Sequence, residues 1–324
     1  MFRKMVLITL GLAIVLSGCG SPRSTNDALT HIRLPMGYIP NIQYAPFYVA
    51  VERGYFKEAG IEIEFDYRFE TDGVVLVGAG ELPFAIVSGE QVLLARAQGL
   101  PVTYVAAWYQ QFPVSVIAKS EADVIVPQDL KGKKIGLPGL FGANYIGLRA
   151  VLDAGELTED DVTLDAIGFN QVELMAAGQH DIIVGYAANE PLQLRALGIA
   201  VTEIRVADYA QLAANGLLAS EKVIEENPVL VNAFIEAFLK GLADTIADPD
   251  EAFELSKPHI PNFAELDQDV QKQVLTLSIE QWQAERLGYS DPQAWENMQN
   301  VLLDMGWIAE EMDLSKAFTN EFIP

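Results

Sequence analysis

The chain has 324 residues, 50% of them hydrophobic and 20% charged, too long for one small module and too apolar for a disordered chain. Lysine and arginine number 21 against 45 aspartates and glutamates, a formal charge of −24, which repels phosphate backbones and anionic headgroups and excludes nucleic acid as a partner. One cysteine and three scattered histidines, His31, His180 and His259, exclude a disulfide framework, a structural zinc site and a Cys/His catalytic pair.

At the N-terminus Arg3 and Lys4 precede an apolar run from Met5 to Leu16. The run is shorter than the roughly 20 residues a membrane-spanning helix needs, and residues 1–18 read as a signal peptide. Leu16-Ser17-Gly18-Cys19 resembles the lipobox of bacterial lipoproteins. That resemblance implies cleavage just before Cys19 and acylation of its sulfur, so that palmitate-like chains hold the cysteine at a membrane while the body stays in water. Residues 19–30 are polar and lack periodicity, as a tether does.

The body alternates strand and helix. His31 to Gly37 reads as a strand and Tyr44 to Gly54 as an amphipathic helix. Ile61 to Phe65 alternates apolar and acidic residues with the strand period of two. A short helix or turn at Val74 to Ala79, a buried strand at Phe84 to Val87 and a helix at Glu90 to Gln98 follow. Val102 to Trp108 and Val114 to Ala118 are further strands. A second run begins after Lys119: strand Ile135 to Leu137, helix Tyr145 to Asp153, strand Val162 to Ile167, helix Glu173 to Ala177, strand Asp181 to Tyr186, helix Glu190 to Leu197 and strand Ala200 to Val206. From Glu221 the pattern is helical, most clearly over Val229 to Ala247. Helices of this length between strands predict parallel crossovers and α/β sheets. The order predicts two α/β lobes with a crevice between them, lobe 1 from residues 31–118 plus 215–324 and lobe 2 from 119–214.

Ligands of open α/β sheets collect at the carboxyl ends of strands, and five such ends carry aromatic or amide groups. They are Tyr38 to Tyr44 with Asn41 between, Ser88 to Gln91, Trp108 to Phe112, the Gly-rich loop Gly136 to Asn144, and Gly185 to Glu190. The Gly-rich loop lacks the Walker and dinucleotide spacings, so it reads either as a loop whose N–H groups face a ligand or as a tight turn. Asn41 reads equally as a ligand contact or a turn cap. His180, in a turn, reads as a surface residue. No strand end pairs a nucleophile with a base, and no G-x-S-x-G occurs. The pattern is that of a binding site without chemistry.

Tyr38-Ile39-Pro40-Asn41, the stretch Ala50 to Ile61, Gln98 to Val102, Asp129 to Gly136 and the tail Lys316 to Pro324 resemble the thiamine-pyrimidine family of solute-binding proteins of ABC importers. The resemblance implies an α/β, two-lobed periplasmic-binding-protein-like (type II) fold. It also implies partnership with a membrane permease and, through it, an ATPase. Members that bind or make the pyrimidine carry Trp and an Asn-His pair in the first loop, where this chain has Tyr38 and Gln43-Tyr44. The synthase branch needs a Cys-rich motif and an active-site His, and this chain has no cysteine beyond Cys19. Losing the His and gaining Tyr suggests a larger flat ligand, stacked between rings and hydrogen-bonded at its edge, and a neutral one suits so acidic a chain.

The expectation is therefore an extracytoplasmic, lipid-anchored monomer at the cell membrane that captures riboflavin by lobe closure. It needs no cofactor, riboflavin being cargo. A formylaminopyrimidine or other thiamine precursor is the alternative cargo, and an enzyme acting on a small heterocycle a remote one. The main expected contacts are Tyr38, Asn41, Tyr44, Trp108, Tyr145 and Tyr186, with Ser88, Phe141, Asn144, Asn189 and Glu190 behind them.

Overall fold

The computed structural model describes residues 29–324; the signal peptide and Cys19 lie outside them. The first strand, β1 (Thr30–Pro35), buries Ile32 and Leu34 while His31 stays exposed. Helices α1 (Ala45–Glu52) and α2 (Tyr55–Glu58) lead to β2 (Ile61–Asp66), which pairs parallel to β1 with Ile32 beside Ile63 and Leu34 beside Phe65. Next come α3 (Glu70–Gly78), β3 (Phe84–Val87), α4 (Gly89–Ala97) and β4 (Val102–Ala107). The chain then crosses to a second body. This comprises β5 (Val114–Lys119), β6 (Lys134–Leu137), α5 (Gly142–Ala154), β7 (Thr163–Ala166), α6 (Gln171–Ala176), β8 (Ile182–Tyr186), α7 (Glu190–Ala196) and β9 (Val201–Arg205). It returns through β10 (Gly216–Ser220) and ends in α8 (Glu221–Glu226), α9 (Pro228–Ala247), α10 (Pro249–Ser256), α11 (Gln268–Trp282), α12 (Pro292–Asp304) and α13 (Leu314–Ala317).

The sheets are mixed, not wholly parallel as the helix spacing predicts. β10 lies antiparallel between β3 and β4. The second sheet runs β7-β6-β8-β5-β9, with β6 parallel to β7 and β8, and β5 antiparallel to β8 and β9. The strand Val114 to Ala118 thus sits in the second sheet, where the sequence boundary at 118 assigned it to the first lobe. Only residues 108–113 join β4 to β5, too few for the dozen or more that a parallel crossover needs. The outer edge of β4 is met by the C-terminal tail, where Phe318 bridges Tyr104, and the strand crosses to the other lobe instead. His180 is buried, not superficial: its ring packs on Gly136 and its Nε2 lies 3.2 Å from Asp165.

The two crossings meet at Asn215, whose carbonyl oxygen accepts the N–H groups of Trp108 and Tyr109, both at 3.0 Å. The C-terminal helices pack back on lobe 1. Asn227 caps α9 by accepting the Leu230 N–H at 3.1 Å, with Pro228 at the first helical position. The tail is held too. Trp295 stacks on Phe318 at 5.0 Å, Thr319 N–H donates to Tyr104, and Asn320 exchanges hydrogen bonds with Ser290. Among the described residues no helix is long and apolar enough to cross a membrane.

Helix α9 lies so close to α1 that a Cβ on Gly241 would fall 2.2 Å from the Pro46 carbonyl oxygen and 2.7 Å from the Ala50 Cβ. Backbone cannot yield as a side chain does, so Gly241→Val overpacks this seam at a cost of about 1–3 kcal/mol. The expected result is a lower thermal midpoint by circular dichroism; an unchanged midpoint would refute the close approach.

Candidate functional site

The lobes enclose a crevice with about 800 Å³ of empty space, open solvent at its mouth included. Its walls are strand ends and the crossings. After β1 the chain turns at Gly37, where φ is +83° and a Cβ would strike the Glu70 side chain at 2.7 Å. That turn delivers Tyr38 to the rim. Tyr44, on a short 3₁₀ turn, donates its O–H to the Met36 carbonyl at 2.6 Å and stacks on Trp108 at 5.5 Å and 30°. Trp108 is in turn braced by Phe47 and Trp282. Across the mouth, Phe69 of lobe 1 meets Phe141 and Phe169 of lobe 2 at 5.5 and 5.1 Å.

A polar chain crosses the floor. The Tyr186 O–H donates to Asn215 Oδ1 at 3.0 Å, and Asn215 Nδ2 donates to Glu70 Oε1 at 3.0 Å. Glu70 Oε2 lies 3.0 Å from the Ser88 N–H and 2.6 Å from its hydroxyl, which also touches Glu90 Oε1. One hydroxyl proton cannot serve two carboxylates, so this pair needs a proton of its own. Burial, followed for Glu70 by the Glu90 charge, pushes both carboxyls above the ordinary range. Glu190, likewise buried, accepts the Tyr186 N–H at 2.7 Å and the Asn189 amide at 3.1 Å. Its burial lifts it from 4.5 to about 7, against the pull of those hydrogen bonds. Each of these acids lies in the first turn of a helix, where the positive end of the helix dipole offsets part of the cost. Among the described residues no lysine, arginine or histidine lines the crevice, and no cluster of His, Cys, Asp or Glu could hold a metal.

Of the residues singled out from sequence, Tyr38, Tyr44, Trp108, Phe141, Asn144, Tyr186, Asn189 and Glu190 line the crevice. The buried Oδ1 of Asn144 has no partner, as an acceptor kept for a ligand would be. Three others lie elsewhere. Asn41 caps the 3₁₀ turn, its Oδ1 accepting the Gln43 N–H at 2.9 Å, and borders a neighbouring chamber. Ser88 is fully buried behind Glu70 and positions it. Tyr145 turns away from the crevice, because successive helical residues point about 100° apart and Ala143 and Asn144 take the inward direction. It stacks on Trp307 of lobe 1 at 5.1 Å, with its hydroxyl on Glu159.

Sequence reasoning passed over Phe69, Glu70, Phe169 and Asn215. The first three follow β2 and β7 and obey the same strand-end rule that found the others. Asn215 lies in the return crossing, which has no local signature.

The proton on Glu190 links stability to pH. Between pH 4.5 and about 7 the folded protein keeps a proton that the unfolded chain gives up, so stability falls as pH rises through this window. Glu190→Gln removes that component. Thermal midpoints measured from pH 4.5 to 8 are expected to fall less steeply in the variant, and identical slopes would disprove the buried proton.

A family model described as "NMT1/THI5 like" matches residues 41–252. The riboflavin-binding protein RibY of Chloroflexus aurantiacus is 43% identical over 99% of this chain and 98% of its own. The formylaminopyrimidine-binding protein of Halalkalibacterium halodurans is 29% identical over 98% of this chain and 99% of its own. The 4-amino-5-hydroxymethyl-2-methylpyrimidine phosphate synthase of Legionella pneumophila is 23% identical over 91% and 93%. Among solved structures, the alkanesulfonate-binding protein SsuA from Xanthomonas axonopodis pv. citri superposes with a TM-score of 0.72 at 15% identity, covering 90% of this chain and 98% of that one, a likeness of fold. The fold is that of the two-lobed, type II periplasmic binding proteins, and the chain belongs to the NMT1/THI5-like family.

Proposed function

We propose that this protein captures riboflavin outside the cytoplasm and presents it to the permease of an ABC importer, tethered to the cell membrane by a lipid on Cys19. The observation that carries the reading is the crevice itself: aromatic walls, two acids and several amides, and no cation. Stacked rings suit a flat heterocycle. Carboxyl and amide groups at the floor suit an imide edge, which offers both donor and acceptors. A phosphate or sulfonate would meet Glu70 and Glu190 with nothing to balance it. The 43% identity to a riboflavin-binding protein across nearly the whole chain supports this cargo. The formylaminopyrimidine-binding relative, more distant at 29%, supports the smaller cargo as the alternative. Capture is by closure of the lobes about the two crossings, with no covalent step and no cofactor, and the protein acts as a monomer.

Titration of the purified protein with riboflavin is expected to quench flavin fluorescence to saturation at one ligand per chain and to resist excess formylaminopyrimidine. Displacement by the pyrimidine would transfer the reading to that cargo. Conversion of the ligand during incubation would replace binding with catalysis, as the synthase relative performs.

Tyr38 reaches the rim from the first loop and is only half-buried, so its loss perturbs the fold little. Tyr38→Ala is expected to weaken riboflavin by about 1–3 kcal/mol, measured by the same titration with thermal midpoint as a control for folding. Unaltered affinity would remove Tyr38 from the site.

A further inference from the structure

Beside the crevice lies a second chamber of about 700 Å³, counting its mouth. Tyr38, Phe169, Gln171 and Glu190 line both spaces. The partition at the rim is Tyr38 against Phe169, edge to face at 4.6 Å, one ring from each lobe. The chamber spans the lobes as the crevice does, with Gln271 of α11 on one side and Gln171 and Gln193 of α6 and α7 on the other.

Its chemistry differs from that of the crevice. Around it stand Asn41, Gln171, Glu173, Gln193 and Gln271 and, among the described residues, no lysine, arginine or histidine. Existing hydrogen bonds use one end of several amides and leave the other. Asn41 Oδ1 accepts from Gln43 N–H, which leaves its NH₂ as a donor. Gln171 Nε2 donates to the Val184 carbonyl at 3.3 Å and Gln193 Nε2 to Asn189 Oδ1 at 2.8 Å, which leaves two amide oxygens as acceptors. A wall offering donors and acceptors side by side matches hydroxyl groups, each of which both gives and receives. Glu173 and Glu190 oppose an anion there.

We infer that the ligand site continues past Tyr38 and Phe169 into this chamber, which takes a neutral, polyhydroxylated chain attached to the flat head held in the crevice. The inference rests on the proposed function for the head group and adds a second subsite. It gives Asn41 a place in recognition outside the crevice. Tyr38 and Phe169, in contact in this structure, must part for the chain to pass from one space to the other.

The test compares riboflavin, lumiflavin (the same ring with a methyl in place of the hydroxylated chain) and riboflavin phosphate on the full protein and on a Gln193→Leu/Gln271→Leu double variant. Hydroxyl contacts of ordinary strength give the wild type an advantage of about ten-fold or more for riboflavin over lumiflavin. Riboflavin phosphate binds more weakly than riboflavin. The double variant loses most of the riboflavin advantage while holding lumiflavin as before, and that retained binding reports an intact fold. Equal affinity of the wild type for riboflavin and lumiflavin overturns the chamber and leaves the proposed cargo standing, as does an undiminished advantage in the variant. Tight binding of the phosphate overturns the neutral chain. Failure of both riboflavin and lumiflavin to bind the wild type overturns the proposed function and the chamber with it.

Discussion

Asn215 is the residue through which the two lobes and the site hold together. Its backbone oxygen gathers the N–H groups of Trp108 and Tyr109 from the outgoing crossing, while its side chain joins Tyr186 of lobe 2 to Glu70 of lobe 1. A rotation of one lobe against the other must pivot near these bonds, because residues 108–113 and 206–215 are the covalent links between the sheets. The floor of the crevice is built on these links. The floor is polar and the rim aromatic, Phe69 facing Phe141 and Phe169.

The buried acids Glu90 and Glu190 and the half-buried Glu70 beside this floor are costly for folding, since each carboxylate loses hydration. The structure limits the cost by placing each acid in the first turn of a helix, by hydrogen-bonding it, and by letting Glu70 and Glu90 share a proton about Ser88. Such groups add nothing to the core that an apolar residue would not add more cheaply. Among the described residues no cation lines the crevice beside them, so an anion placed there would find no counter-charge.

Outside the crevice, Tyr145 on lobe 2 stacks against Trp307 on lobe 1, so the lobes meet on more than one side of the hinge. The C-terminal tail reinforces lobe 1 from behind: Thr319 bonds to β4, Phe318 lies on Trp295, and Arg286 holds the last two carbonyl groups. Lobe 1, discontinuous in sequence, depends on this return for its central strand β10 and for most of its helical cover.

Much of the binding wall was legible along the chain. Strand periodicity located β1, β2, β3 and β8, and the rule that ligands gather at strand ends led to Tyr38, Tyr44, Trp108, Tyr186 and Glu190, because residues just past a strand have their position set by that strand. The same local logic misjudged Tyr145, whose direction depends on helix phase, and set Asn41 in the crevice, where the structure has it cap its own turn and border the neighbouring chamber. Only the tertiary structure decided that β5 joins the second sheet and that β10 enters the middle of the first. Only it set Asn215 between Glu70 and Tyr186, residues 145 and 29 positions away. Local pattern determines what each segment is, since propensity and periodicity act over a few residues. Which segments become neighbours is settled by packing and chain crossing over long separations, and no local pattern carries that information.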